Sequence, residues 1–124
     1  MQVLLIESDP LLASSIVAYM HKQGMQISSV TTAQGAIAAC DTSTPNIVIL
    51  DMALIGHGGI EFLHEFRSYH DWQNVPIIAW SMQHITVTQR QALLQLGVSS
   101  VLYKPKTTLQ QLYQQLQTFI PSPV

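Results

Sequence analysis

Short apolar runs recur along the chain at residues 3–6, 47–50, 77–80 and 101–103, with a weaker run at 26–30. The runs at 3–6, 47–50 and 77–80 are each four residues long and apolar throughout, as strands buried on both faces tend to be. Between them lie stretches with helical spacing. Leu12, Ile16, Val17 and Met20 form one such stripe, Ile60, Leu63 and Phe66 another, and Leu109, Leu112, Leu116 and Phe119 a third. Five alternations of strand and helix predict a parallel sheet with helices on both faces. Expected strands are 2–7, 26–30, 46–50, 77–80 and 99–103. Asp9 and Pro10 suit the start of the first helix, and Gly24 its stop. A small-residue helix is expected near 33–40. Residues 51–59, with Gly56, Gly58 and Gly59, read as a loop, and a polar loop is expected before Pro76. Gly97 closes the fourth helix, whereas Pro121 and Pro123 end the fifth.

Composition narrows the class. The 124 residues are 48% hydrophobic and only 10% charged, against ~25% charged for an average soluble domain. A net charge of -2 without a basic block argues against nucleic-acid binding by this segment. No apolar stretch approaches the ~20 residues of a membrane helix, and the start reads as a strand rather than a signal peptide. The lone Cys40 cannot form an internal disulfide, so the cytoplasm is the expected location. Cys40 is read as a small core residue, and the five histidines show no metal-ligand spacing.

The chemically able residues fall at the ends of the strands. Glu7, Ser8 and Asp9 follow the first, Asp51 the third, Ser81 the fourth, and Lys104 with Pro105 the fifth. Ligands bind open parallel sheets beyond the carboxyl ends of strands, where strand order reverses. With order 2-1-3-4-5, that crevice lies between the first and third strands. Clustered carboxylates there call for a cation, and hard oxygen ligands favour Mg2+. A carboxylate in such a site can also be a nucleophile that forms an aspartyl-phosphate. Lys104 and the Ser81 hydroxyl would then meet the charge on the transferred oxygens.

With these residues the chain resembles the receiver domain of two-component response regulators, a flavodoxin-like fold, over residues 1–120; residues 121–124 would be a tail or the start of a linker. The resemblance implies that Asp51 is the phosphoacceptor, Ser81 the hydroxyl residue and Lys104-Pro105 the Lys-Pro pair. It implies Mg2+ bound by Glu7, Asp51 and the backbone carbonyl of Ala53, with Gly59 closing the loop. A histidine kinase or phosphotransfer protein would be the donor, and a protein target or output domain the recipient. Such a domain catalyses its own phosphorylation and dephosphorylation.

Several residues depart from the family pattern. Ser8 stands where the family has its direct metal-binding Asp, so a weak metal site is expected, with Ser8 or Asp9 as a further ligand. Asp9 is one residue out of phase and is read as a helix cap. With one anion fewer, Asp51 is expected nearer an ordinary carboxylate pKa. Val101 replaces the aromatic that signals phosphorylation, and Val is stiff at χ1. Ile55 replaces a Pro, Gly58 a frequent Asp, and Met82 a small residue beside the phosphoryl position. The alternative reading is a pseudo-receiver, a protein-interaction module that works without phosphorylation. A flavin domain on the same topology would need a Ser/Thr/Gly-rich loop after the first strand, where the chain has Ser8-Asp9-Pro10-Leu11-Leu12.

Overall fold

The computed structural model describes residues 1–54 and 58–119. Ile55, whose replacement of Pro was noted above, and residues 120–124 lie outside the described residues. Five parallel strands, β1 (Gln2–Ile6), β2 (Gln26–Val30), β3 (Ile47–Asp51), β4 (Ile77–Ser81) and β5 (Val98–Tyr103), form one sheet in the order β2-β1-β3-β4-β5. Five helices connect and cover them: α1 (Pro10–Lys22), α2 (Ala33–Thr42), α3 (Gly59–Ser68), α4 (Val87–Gln95) and α5 (Leu109–Gln117). The expected fold class and strand order are those observed.

Alternation along the strands divides the core. Val3, Leu5, Ile47, Ile49, Ile78 and Trp80 face a layer made with α1 and α5. Leu4, Ile6, Val48, Leu50, Ile77 and Ala79 face the layer made with α2, α3 and α4. Each buried Leu, Ile or Val contributes about 1.5–3 kcal/mol by leaving water. The central strands must therefore keep this register, because a one-residue slip exchanges the two faces.

Helix ends follow local chemistry. The Asp9 carboxylate accepts from the N–H groups of Leu11 and Leu12 and Pro10 occupies the first turn, while Gly24 closes the helix at φ 80°. α4 and α5 start with reciprocal capping boxes, Thr86 with Gln89 and Thr108 with Gln111. Gly59 opens α3 against β3: a Cβ there would lie 2.9 Å from the Met52 Cα, so the turn after Asp51 can be this tight only with glycine.

The structure corrects several boundaries. β3 includes Asp51 but not Asn46, whose N–H and side chain instead bond the backbone of Gln2. β4 extends to Ser81 and α2 to Thr42. The expected polar loop before Pro76 contains a 3-10 turn, His70–Trp72. It is anchored because Trp72 is buried and stacks on Phe66 at 5.2 Å, and because Arg67 donates to the Trp72 carbonyl. No helix among the described residues is long and apolar enough to cross a membrane.

Candidate functional site

Parity places four side chains at or just past the carboxyl ends of the strands on one face. Glu7 continues the face of Leu5, Asp51 that of Ile49, Trp80 that of Ile78 and Lys104 that of Leu102. Since β1, β3, β4 and β5 are consecutive and parallel, all four meet on the α1/α5 side of the sheet's carboxyl edge. Glu7 and Asp51 are 1% and 2% exposed. Lys104 Nζ lies 2.7 Å from Glu7 Oε1 and 3.2 Å from Asp51 Oδ1, so one ammonium is shared by a buried pair of carboxylates. The indole Nε1–H of Trp80 donates to the same Glu7 Oε1 at 3.0 Å, and the Asp9 N–H donates to Oε2 at 3.1 Å.

Ser8 is brought onto Asp51. Its hydroxyl donates to Oδ2 at 2.8 Å and its N–H approaches the same oxygen at 3.3 Å, while the Ala53 N–H donates to Oδ1 at 3.0 Å. These contacts correct the expectation of an ordinary Asp51. Burial alone would raise its pKa, but hydrogen bonding with Glu7, Ala53 and Ser8 and the charge on Lys104 hold it well below the usual carboxylate range. The Asp-to-Ser departure does more than delete a like charge; it supplies a donor. Glu7 moves the other way, raised chiefly by burial against the lowering pull of Lys104. The pair is therefore polarised: Asp51 keeps the negative charge, and Glu7 is the one that takes up a proton first as pH falls.

The remaining candidates sit differently. The Asp9 carboxylate is spent on the α1 cap and is exposed. Ser81 is buried, yet its hydroxyl donates to the Gln83 carbonyl at 2.7 Å and accepts from the Gln83 N–H at 3.1 Å. It shares the face of Ala79, opposite to Trp80, and lines a groove of about 330 Å³ with Ala53, Gly59, Met82 and Gln83. Met82 is 59% exposed. Val101 packs half-buried against the α2–α4 layer, while the neighbouring Tyr103 stacks on His84 at 4.1 Å. His64 and His70 are exposed. Burial and the nearby Asp41 raise the Cys40 thiol to about 11, which keeps it protonated and inert. The site residue absent from the sequence expectations above is Trp80. Its signal was parity, because residues 78 and 80 share a face with the carboxylates.

The sequence matches the response regulator receiver domain family over residues 3–117. The chain belongs to that family. Among its relatives, this receiver is 31% identical over 105 residues to the transcriptional regulatory protein QseB of Haemophilus influenzae, covering 85% of this chain and 46% of the relative. It is 29% identical to BasR of Escherichia coli with the same coverage, so the chain spans a little under half the length of these relatives. Solved structures share the fold. The Vibrio cholerae chemotaxis protein CheY4 superposes with a TM-score of 0.87 at 18% identity, covering 96% of this chain and 98% of that one. The receiver domain of the Pseudomonas aeruginosa sensor kinase PA1611, described with magnesium in its active site cleft, gives 0.82 at 24% identity, covering 95% of each chain.

The site also suits a divalent cation by its donor set. Glu7 and Asp51 are carboxylates, the Ala53 carbonyl is close by in sequence, and all are hard oxygen donors of the kind Mg2+ accepts with several waters. Among the described residues no cluster of three or more His, Cys, Asp and Glu side chains is placed to hold a metal ion. The fit therefore rests on two carboxylates, with water completing the shell.

Proposed function

We propose that this receiver accepts a phosphoryl group on Asp51 from a phosphohistidine of a histidine kinase or phosphotransfer protein in the cytoplasm. The observation that carries this reading is the buried Asp51 carboxylate, kept ionised and paired with Lys104 at 3.2 Å. An Asp51 oxygen attacks phosphorus, the P–N bond breaks, and the imidazole leaves and takes a proton, leaving an acyl phosphate. Lys104 shifts from the carboxylates to the developing phosphoryl charge. Ser81 exchanges its bond with Gln83 for one to a phosphoryl oxygen, which releases the loop leading to His84 and its stack on Tyr103. Mg2+, held by Glu7, Asp51 and the Ala53 carbonyl with Ser8 contributing at most through water, would neutralise the incoming phosphoryl oxygens. The recipient of the signal is a protein target or an output domain; the named relatives are transcriptional regulators, and a target in transcriptional control is the corresponding proposal.

A phosphorylation-independent interaction module is favoured by one observation: both Asp51 oxygens are already bonded to donors of the chain itself. Beryllofluoride, a tetrahedral stand-in for a phosphoryl group, separates the two readings. With Mg2+ it is expected to raise the melting midpoint by about 4–8 °C and to leave an Asp51→Asn variant unmoved. An unmoved wild-type midpoint would support the interaction module.

A further inference from the structure

We propose that Trp80 is a positioning residue of the acidic site, its indole N–H holding Glu7 in place while Lys104 serves the phosphoryl group. The inference rests on the phosphoacceptor reading and adds to it a residue outside the expected set. Trp80 lies inside β4, paired with Asp51 on β3 and Leu102 on β5. The other strand side chains on this face are mainly aliphatic, and an Ile or Leu would fill the core there. Tryptophan adds a single donor, and that donor meets the carboxylate oxygen that Lys104 also binds. Its ring also faces Lys104, with Nζ 5.7 Å from the ring centroid, within the range of a cation–π contact.

Glu7 Oε1 has two donors, Trp80 and Lys104. When Lys104 turns to phosphoryl oxygens, Trp80 Nε1–H is the partner that stays, since the indole is 2% exposed and fixed by the core. A carboxylate buried to 1% exposure and left with no donor on that oxygen would either turn away or recapture the lysine. Because Ser8 has removed one acid from the site, the chain depends more heavily on the orientation of Glu7 than a receiver with two adjacent acids. Trp80 stabilises that orientation from the second layer, as partners of metal-binding carboxylates do.

The test compares Mg2+ binding by calorimetry in the wild-type chain and in Trp80→Phe, which keeps an aromatic ring but loses the donor together with some buried volume. Trp80→Phe is expected to weaken Mg2+ binding by about ten-fold, the lower end of what loss of a second-layer partner costs; a purely structural role would lower the melting midpoint in EDTA without that change. Binding within about two-fold of wild type would overturn the inference and leave the phosphoacceptor reading standing. A wild-type chain that binds no Mg2+ would overturn both. A second measurement needs no variant. In the 15N-labelled wild type, the Trp80 Nε1–H resonance is expected to shift saturably with Mg2+ while that of Trp72, in the 3-10 turn after α3, stays in place. A Trp80 resonance unmoved at saturating Mg2+ would refute the inference.

Discussion

Replacing Lys104 with alanine is expected to destabilise the metal-free chain by about 3–5 kcal/mol near neutral pH, because it leaves buried charge without its partner. The Lys104 side chain is 7% exposed, and its ammonium reaches both Glu7 and Asp51, whose side chains are 1% and 2% exposed. Without it the two buried carboxylates face each other with no cation between them. The loss should depend on pH in a defined direction. Glu7 already stands above its ordinary value, and Lys104 is one of the groups that lower it; the variant therefore raises it further. A carboxyl whose pKa is raised on folding contributes stability while protonated, and that contribution disappears as pH rises through its folded pKa. The deficit should thus be smaller at about pH 5 and larger at about pH 8. Urea unfolding in EDTA at the two pH values measures it. A loss under about 1 kcal/mol, or one equal at both pH values, would mean that the ion pair is not what holds the site together.

Ser8→Asp is expected to change the same site in two opposite ways. The substitution removes the 2.8 Å hydroxyl bond to Asp51 and places a third carboxylate beside a pair that one lysine already has to neutralise. In EDTA this should cost about 1–3 kcal/mol of stability. With Mg2+ the sign reverses, because a further anionic oxygen strengthens a hard-cation site. Affinity should rise about ten-fold or more, equivalent to 1.4 kcal/mol per factor of ten. Calorimetric titration and unfolding in EDTA give the two numbers independently. Unchanged Mg2+ affinity would show that Ser8 is not adjacent to the cation, whatever its contact with Asp51.

Both predictions depend on contacts that the sequence reveals only in part. Parallel order and strand count were legible because the β1, β3 and β4 runs are apolar throughout, and few folds accommodate such runs between amphipathic helices. The site was legible as a set of strand ends, since Glu7, Asp51 and Lys104 each follow such a run. Less visible was what each residue does there. Ser8 reads in sequence as a missing acid, yet in the fold it donates a hydrogen bond and so lowers the pKa of the carboxylate it was expected to leave ordinary. Ser81 reads as a site hydroxyl, yet in this state it is closed on Gln83. Trp80 reads as core, and only strand parity combined with the three-dimensional pairing to Asp51 shows its indole reaching Glu7.

Local signals were missed for a different reason. The starts of α4 and α5 are written in the chain as Thr86 with Gln89 and Thr108 with Gln111, a spacing that marks a capping box. In α4 the apolar pattern does not draw attention to it: Leu93 is its only buried residue, while Val87 and Leu94 are 75% and 58% exposed. Trp72 lay in a stretch of polar residues, and its burial comes from Phe66 and Tyr69, which α3 brings alongside. Side-chain roles that depend on a neighbour in space stay hidden until that neighbour is placed.

The most direct test of the account is the intact mass of the chain after incubation with a small-molecule phosphodonor, with and without Mg2+, beside Asp51→Asn. The account predicts a Mg2+-dependent gain of one phosphoryl group in the wild type and none in the variant. An adduct of equal size in Asp51→Asn, or no adduct in the wild type at saturating Mg2+ when a receiver of known activity is modified in parallel, would contradict it.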